Sequence, residues 1–150
     1  MKNIFYTFFI AILLLFSSCG SIKSTLQNVD NNAVSPAIKD GHYVITEYSK
    51  DAKYGYDKDY PINIGFINEK NGPKSVAYFF TALVGESNEK ISYEKVDSCC
   101  PFPTKRSVMG GGILDIYEVK FEGKNKKVLL YINIFDKGKV LCPKGFLIKK

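Results

Sequence analysis

The sequence contains a single histidine, His42, and this scarcity argues against two large groups of enzymes. A zinc site needs four ligands, or three and a water molecule, and one histidine cannot supply the usual set. A hydrolase that activates serine or cysteine with a histidine base would need His42 for every such step. We therefore expect no catalytic triad, no metal ion and no cofactor, and we assign His42 to a half-buried position in a sheet.

Motifs for dithiol chemistry and for nucleic-acid binding are also missing. No two cysteines have the Cys-X-X-Cys spacing of thioredoxin-like proteins. The net charge is +6, but the lysines are spread along the chain and do not form a dense basic stripe. We therefore expect no nucleic-acid partner. At 150 residues, the chain has room for one domain.

The N-terminus is the most informative part of the sequence. Lys2 precedes an apolar run over residues 4–16, which is too short to cross a bilayer comfortably and is typical of an export signal. Residues 16–19 (Phe-Ser-Ser-Cys) resemble the lipobox of bacterial lipoproteins. The resemblance implies that residues 1–18 are a signal peptide and that Cys19 is acylated, which predicts a lipid-anchored protein of the cell envelope, in the outer membrane. The alternatives are an uncleaved signal anchor and an ordinary secretory leader with an unrelated cysteine.

Two regions follow the leader. Residues 19–40 are rich in serine, asparagine and lysine and show no sustained helical or strand period, so we predict a flexible tether. A single folded domain is expected over residues 41–150. A chain of this size buries roughly two-thirds of the surface of its unfolded form, which is enough for one hydrophobic core.

The predicted fold is α+β, with a mostly antiparallel sheet of five or six strands and one main helix packed on one face. Alternating and β-branched stretches predict strands at residues 42–48, 62–66, 91–96, 113–121, 128–135 and 146–148. The stretch 128–135 is apolar on both faces except at Asn133, which places it at the centre of the sheet. The stretch 146–148 is expected to end the domain as an edge strand.

The helix is predicted to begin after Asn71, a suitable cap, with Pro73 in its first turn and Gly85 at its end. Four large apolar residues recur at helical spacing: Val76, Phe79, Phe80 and Leu83. We interpret this stripe as the face of the helix that packs on the core; a ligand groove is the alternative.

The predicted loop over residues 49–59 and the following Tyr60 contain tyrosines and lysines that are close together in the sequence. Tyr54, Tyr56 and Tyr60 alternate with charged residues there. Tyrosines in this setting most often pack a long loop onto its sheet. The alternative is a sugar-binding or peptidoglycan-binding surface, since aromatic rings beside lysines form such surfaces.

Three cysteines lie outside the lipobox: Cys99 and Cys100 are adjacent, and Cys142 lies near the C-terminus. An exported domain meets an oxidising compartment, where thiols tend to pair. We predict a structural disulfide from Cys99 or Cys100 to Cys142, closing a loop of about 42 residues and stabilising the fold by about 3 to 4 kcal/mol. The alternatives are free or intermolecular thiols, a Cys99–Cys100 redox switch, and a thiol activated by nearby Lys105 and Arg106.

A basic segment follows the adjacent cysteines. Lys105, Arg106 and Ser107 precede a run of three glycines at residues 110–112. Backbone amides and a guanidinium group together suit a phosphate or carboxylate, so this segment is a candidate anion-binding site. The order of glycine and lysine differs from that of a P-loop. The alternative is a solvated loop between strands.

Four segments resemble those of small lipoproteins of Gram-negative bacteria. They are Ser-Cys-Cys-Pro-Phe at 98–102, Leu-Asp-Ile-Tyr-Glu-Val at 114–119, Leu-Tyr-Ile-Asn at 130–133 and Pro-Lys-Gly-Phe at 143–146. Chains of this kind sometimes carry the name 2-dehydro-3-deoxyphosphooctonate aldolase. That enzyme is a cytoplasmic (β/α)8 barrel, and such barrels need about 250 residues with alternating strands and helices. The export leader and the succession of strands in this chain disfavour that activity.

Three classes of function remain. The leading expectation is a membrane-anchored, non-catalytic binding or accessory protein whose partner is an envelope protein or an anionic envelope polymer. The second is a thiol-redox accessory protein that uses Cys99 and Cys100. The third is a small enzyme acting on an anionic sugar or phosphate, the class to which the aldolase name belongs.

Overall fold

The computed structural model of the chain describes residues 24–65 and 72–149. The predicted signal peptide, the acylation site Cys19 and the helix cap Asn71 therefore lie outside the described residues. Within them, eight strands and one helix follow in the order β1 (Ile38–Lys39), β2 (His42–Tyr43), β3 (Ile62–Asn63), α1 (Gly72–Thr81), β4 (Leu83–Gly85), β5 (Ile91–Pro103), β6 (Gly111–Phe121), β7 (Lys127–Asn133) and β8 (Phe146–Ile148).

The strands form one four-stranded sheet and two small ones. The larger sheet has the order β3-β7-β6-β5, in which β3 is parallel to β7 and the other neighbours are antiparallel. Strands β1 and β2 pair with each other, and so do β4 and β8. The predicted α+β class is confirmed. The prediction of one mostly antiparallel sheet of five or six strands is wrong, because the largest sheet in the described residues has four strands and is mixed.

Two predicted strands are cut short by tight turns. The predicted strand 42–48 stops early because the amide of Ile45 donates to Tyr43 O (3.1 Å), which closes a three-residue turn. The segment that starts at Ile62 turns in a similar way, with Ile64 N donating to Ile62 O (3.1 Å), although the same amide also donates to Asn133 O of β7 (2.9 Å) and Ile64 forms an isolated bridge with Lys137. Residue 66, the last of the predicted strand, lies outside the described residues. β-Branched residues favour extended backbone without forbidding such turns, so each regular strand is only two residues long.

Strand β5 is longer than predicted and includes the cysteine segment. It runs over 13 residues, Ile91–Pro103, whereas the prediction ended before the cysteines. Its register against β6 shifts twice, between Lys95 and Asp97 and again between Cys99 and Phe102. Bulges of this kind keep a strand paired while they change its local twist. The cysteines therefore belong to the edge of the sheet and not to a free loop.

Strands β6 and β7 form close to the predicted ranges 113–121 and 128–135 and are joined as a hairpin. Its turn contains Gly123 with a φ of 74°, a left-handed conformation that glycine adopts without steric cost. Strand β7 lies between β3 and β6, as its apolar sequence predicted. The predicted C-terminal strand also forms, as Phe146–Ile148, although it pairs with β4 in a separate sheet.

Helix α1 packs its apolar stripe against one face of the larger sheet. Val76, Phe79 and Phe80 are buried, and the Phe80 ring stacks on Tyr93 of β5 with centroids 4.2 Å apart. Leu83 is buried too, but it lies in β4, because the helix ends at Thr81 and not near Gly85. In the described parts of the chain, no helix is long and apolar enough to cross a membrane.

The part of the predicted tether that the structure describes, residues 24–40, is hydrogen-bonded to the domain. Gln27 N donates to Asp59 O (2.7 Å), and Asp30 N donates to Lys137 O (2.8 Å). Further along, β1 pairs with β2. The structure therefore places these residues against the domain surface, where they contribute to the sites described below.

Candidate functional site

The adjacent cysteines are bonded to each other on the edge strand of the larger sheet. The structure joins Cys99 to Cys100, whose Cα atoms are 3.7 Å apart, and leaves Cys142 as a buried free thiol. Cys100 has a φ of 60°, in the left-handed region that residues with a side chain rarely adopt, and it lies within the second bulge of β5. The predicted link from Cys99 or Cys100 to Cys142 is therefore contradicted.

Cys142 is part of the hydrophobic core, which explains why it does not reach the edge strand. It is fully buried and forms an isolated parallel bridge with Tyr48. Its Sγ lies 3.5 Å from Phe146 O. Burial raises the pKa of the Cys142 thiol to about 12, so the thiol stays protonated at neutral pH. Cys142 is thus a core residue and not a reactive nucleophile.

Strands β5 and β6 form a hairpin, and we call its turn, residues 104–110, the tip. A buried hydrogen-bond network holds the base of the tip. Thr104 Oγ1 donates to Asp136 Oδ1 (2.8 Å), and Asn31 Nδ2 donates to the same oxygen (3.2 Å). The amide of Asp136 donates in turn to Asn133 Oδ1 (3.1 Å). Asp136 therefore joins the tip and the N-terminal segment through its carboxylate, and the end of β7 through its backbone amide.

The residues of the predicted anion-binding site all lie in the tip, but the tip uses several of their polar groups internally. Lys105 and Arg106 are exposed, and Arg106 Nε donates to Phe135 O (2.8 Å). Ser107 Oγ accepts a backbone amide of the same turn, and Ser107 O accepts the amide of Gly110 (3.0 Å). Anion binding stays a prediction, and the structure adds that the two cations stand on a protruding turn.

The glycine run has a packing role below the tip. A Cβ atom on Gly112 would lie 2.7 Å from Phe102 Cζ and 2.8 Å from Phe135 Cδ2. Those two rings meet edge to face, with centroids 6.1 Å apart. Because only glycine leaves room for both rings, the hairpin base is closely packed below the tip.

A surface cleft of about 480 Å³ lies between the N-terminal segment and the domain. Its lining includes Asn28, Asp30, Tyr48, Lys50, Tyr54 and Lys139. Tyr54 is buried, and its hydroxyl accepts the amide of Leu141 (3.0 Å), which agrees with the interpretation that loop tyrosines pack the loop. The Tyr48 ring is different: it is 51% exposed. The sequence did not indicate this cleft, because one of its walls comes from the segment predicted as a tether.

His42 takes the predicted half-buried position, in strand β2. Within the described residues, no group of three or more histidine, cysteine, aspartate or glutamate side chains could hold a metal ion. The chain matches no protein-family model, no curated protein and no solved structure. The cleft, the tip and the bonded cysteines are the candidate functional features of the described residues.

Proposed function

We propose that this chain is a lipid-anchored protein of the cell envelope, acylated at Cys19, whose domain binds an envelope polymer without catalysis. The outer membrane is the proposed location. The observation that carries the binding role is the 480 Å³ cleft, a volume within the roughly 300 to 1,000 Å³ range of ligand pockets. The general class of partner is an envelope protein or an anionic envelope polymer. The side chains that line the cleft indicate which member of this class fits best.

The cleft offers one aromatic face and charges of both signs. The half-exposed Tyr48 ring supplies apolar surface for the face of a sugar. Lys139 and Glu47 form an ion pair at 2.6 Å with both side chains mostly exposed, and Lys50 and Asp51 line the same cleft. An exposed pair of this kind stabilises a fold by only about 0 to 1 kcal/mol, so ligand charges can replace it at little cost.

Peptidoglycan fits this combination because it carries sugar rings together with peptide stems that bear amino and carboxylate groups. A purely anionic polymer would be repelled by the acidic side chains that line the cleft. We therefore propose a peptidoglycan segment as the ligand of the cleft. Lipopolysaccharide binding at Lys105 and Arg106 is the competing arrangement.

The proposal is tested by sedimenting the full chain with purified peptidoglycan sacculi. We expect saturable binding that is at least about ten-fold weaker in the double variant Tyr48→Ala/Lys50→Ala, equivalent to about 1.4 kcal/mol. The control Leu129→Ala removes an exposed apolar side chain outside the cleft and should bind like the wild type. Absence of saturable binding, or equal binding by the double variant, would contradict the proposal. Loss of binding in Lys105→Ala would move the site to the tip.

A second candidate function is a thiol-redox accessory role, favoured by the Cys99–Cys100 bond on the sheet edge. Both cysteines are partly exposed and therefore accessible to a partner thiol. Non-reducing peptide mapping of protein from an oxidising compartment is expected to recover a bonded 99–100 peptide and an unmodified Cys142. Under mild reduction, alkylation should label Cys99 and Cys100 and spare Cys142 until the protein is denatured. A disulfide-linked peptide that joins Cys142 to Cys99 or Cys100 would exclude the redox role of the Cys99–Cys100 bond.

A further inference from the structure

The tip exposes two adjacent apolar side chains beside two cations. Val108 is 100% exposed and Met109 is 92% exposed, and Lys105 and Arg106 precede them. Scattered exposed apolar residues need no explanation, but an apolar pair at the end of a projecting hairpin beside cations is typical of a surface that enters a bilayer interface. The apolar side chains would lie among the lipid tails and the cations at the headgroups.

The turn at the opposite end of β6 provides an internal contrast. Residues 122–126 (Glu-Gly-Lys-Asn-Lys) also contain two lysines but no apolar side chain. Lys124 forms an ion pair with Glu89, and Lys126 lies over the Phe121 ring at 5.2 Å from its centroid. The turns at the two ends of β6 therefore differ in the features that a bilayer interface recognises.

The N-terminal segment meets the domain at the same end of the sheet as the tip. Strand β7 runs antiparallel to β6, so it finishes where β6 begins, and β3 finishes beside it at Asn63 and Asn133. Asn63 Nδ2 donates to Gln27 O (2.9 Å), and Asn31 shares Asp136 with the base of the tip. Asn31 therefore lies at the end of the domain that carries the tip, and toward Ser24 the chain continues to Asp59, to which Gln27 N (2.7 Å) and Thr25 Oγ1 (3.1 Å) donate.

The remaining length of chain keeps the anchor close. Ser24 is five positions after Cys19 in the sequence, and an extended chain of five residues spans at most about 17 Å. A bilayer that holds Cys19 therefore lies near the domain. Because Asn31 contacts the base of the tip through Asp136, the end of the sheet that carries Val108 and Met109 lies close to the chain that leads to Cys19.

We propose that the tip is a second membrane contact: Val108 and Met109 enter the interface of the phospholipid bilayer that holds the lipid anchor, while Lys105 and Arg106 lie against anionic headgroup phosphates. The proposal rests on the proposed lipid anchor and adds an orientation. One anchor leaves a domain free to rotate, whereas two contacts fix which end faces the bilayer and which faces are presented away from it.

The test uses tryptophan as a position-specific reporter, because the sequence contains none. Full-length Val108→Trp and Asn125→Trp proteins are reconstituted into vesicles of phosphatidylethanolamine and phosphatidylglycerol that contain phosphatidylcholine brominated on its acyl chains. Asn125 is exposed in the turn at the opposite end of β6, about 30 Å from the tip. We expect bromine to quench the tryptophan at position 108 and shift its emission to shorter wavelength, and to leave the one at position 125 unchanged.

The outcomes separate this proposal from the anchor. Protein that floats with the vesicles while neither reporter is quenched overturns the tip contact and leaves the anchor intact. Equal quenching at both positions overturns the orientation. Protein that does not float with the vesicles overturns the anchor and the tip contact together.

A charge variant tests the headgroup contact in the same vesicles. In the Val108→Trp background, Lys105→Gln should reduce quenching and Lys126→Gln, at the opposite turn, should not. Raising the phosphatidylglycerol fraction should enlarge the difference between these two variants, since the attraction acts on anionic lipid. Identical quenching in both variants at every lipid composition would overturn the role of the cation.

Discussion

Replacing Phe80 with alanine is expected to lower the free energy of unfolding by about 3 to 5 kcal/mol, the usual cost of removing a large aromatic side chain from a core. Phe80 is 1% exposed, stacks on Tyr93, and contacts Tyr117 with ring centroids 5.3 Å apart. It therefore connects helix α1 with two strands of the larger sheet. Small domains are stable by only about 5 to 15 kcal/mol, so this single change removes a large share of the total.

The measurement is equilibrium denaturation in urea, followed by far-ultraviolet circular dichroism. Phe79→Ala, at a fully buried neighbouring position, should lose a similar amount. Met109→Ala is the matched control, because that side chain is 92% exposed and its loss should change stability by no more than about 0.5 kcal/mol. If both phenylalanine variants unfold at the wild-type urea concentration, the packing of α1 on the sheet is wrong.

Replacing Cys19 with serine is expected to release the mature protein from membranes or to block its maturation. Each buried methylene group of an acyl chain contributes about 0.8 kcal/mol to membrane binding, so two or three chains hold a protein firmly. The serine variant has no thiol to acylate and would retain only the tip as a membrane contact. A contact of two apolar side chains is much weaker than a diacylglycerol.

Membrane fractionation and intact-mass spectrometry measure this result. The wild type is expected in the membrane fraction, without residues 1–18 and with the added mass of its acyl groups. Leu129→Ala, which leaves the lipobox unchanged, serves as the control and should behave like the wild type. A soluble mature wild-type protein that still begins with Met1 would contradict the lipoprotein assignment, whatever the result of the tryptophan experiment.

Local pattern was enough to predict the elements whose apolar residues repeat at one period. The stripe of Val76, Phe79 and Phe80 predicted both the helix and its buried face, and all three side chains are buried. The strand pattern of residues 113–121 likewise predicted β6: Val119 and Phe121 lie in the core, and Tyr117 packs against it. In these segments, periodicity and packing favour the same conformation.

The pattern was insufficient where a hydrogen bond or a distant partner decided the conformation. The turn at Tyr43–Ile45 interrupts a run of strand-forming residues, and nothing in those residue types specifies where the turn falls. The parallel pairing of β3 with β7 depends on which sheet edge the β6–β7 hairpin leaves free. Both outcomes require knowledge of where other segments lie.

The cysteines show the same limit at the candidate site. The oxidising compartment expected for an exported domain suggested a long-range bond, but Cys142 is enclosed by the core while Cys99 and Cys100 lie on the sheet edge. The three residues of the predicted anion site do lie together, because they are consecutive. Val108 and Met109 lie beside them in the tip and are exposed. Composition alone does not reveal that exposure.

The sequence by itself determined the α+β class, the helical stripe, the strands β6 and β7 and the prediction of an export leader, because each depends on residues that are neighbours along the chain. The tertiary structure alone decided the mixed four-stranded sheet, the pairing of the thiols, the cleft and the direction of the tip. The cleft joins residues 28–30 to residues 139–141, and the base of the tip joins Asn31 to Thr104 through Asp136. Contacts across such separations arise from the way segments pack, and that packing leaves no periodic signal in any one of them.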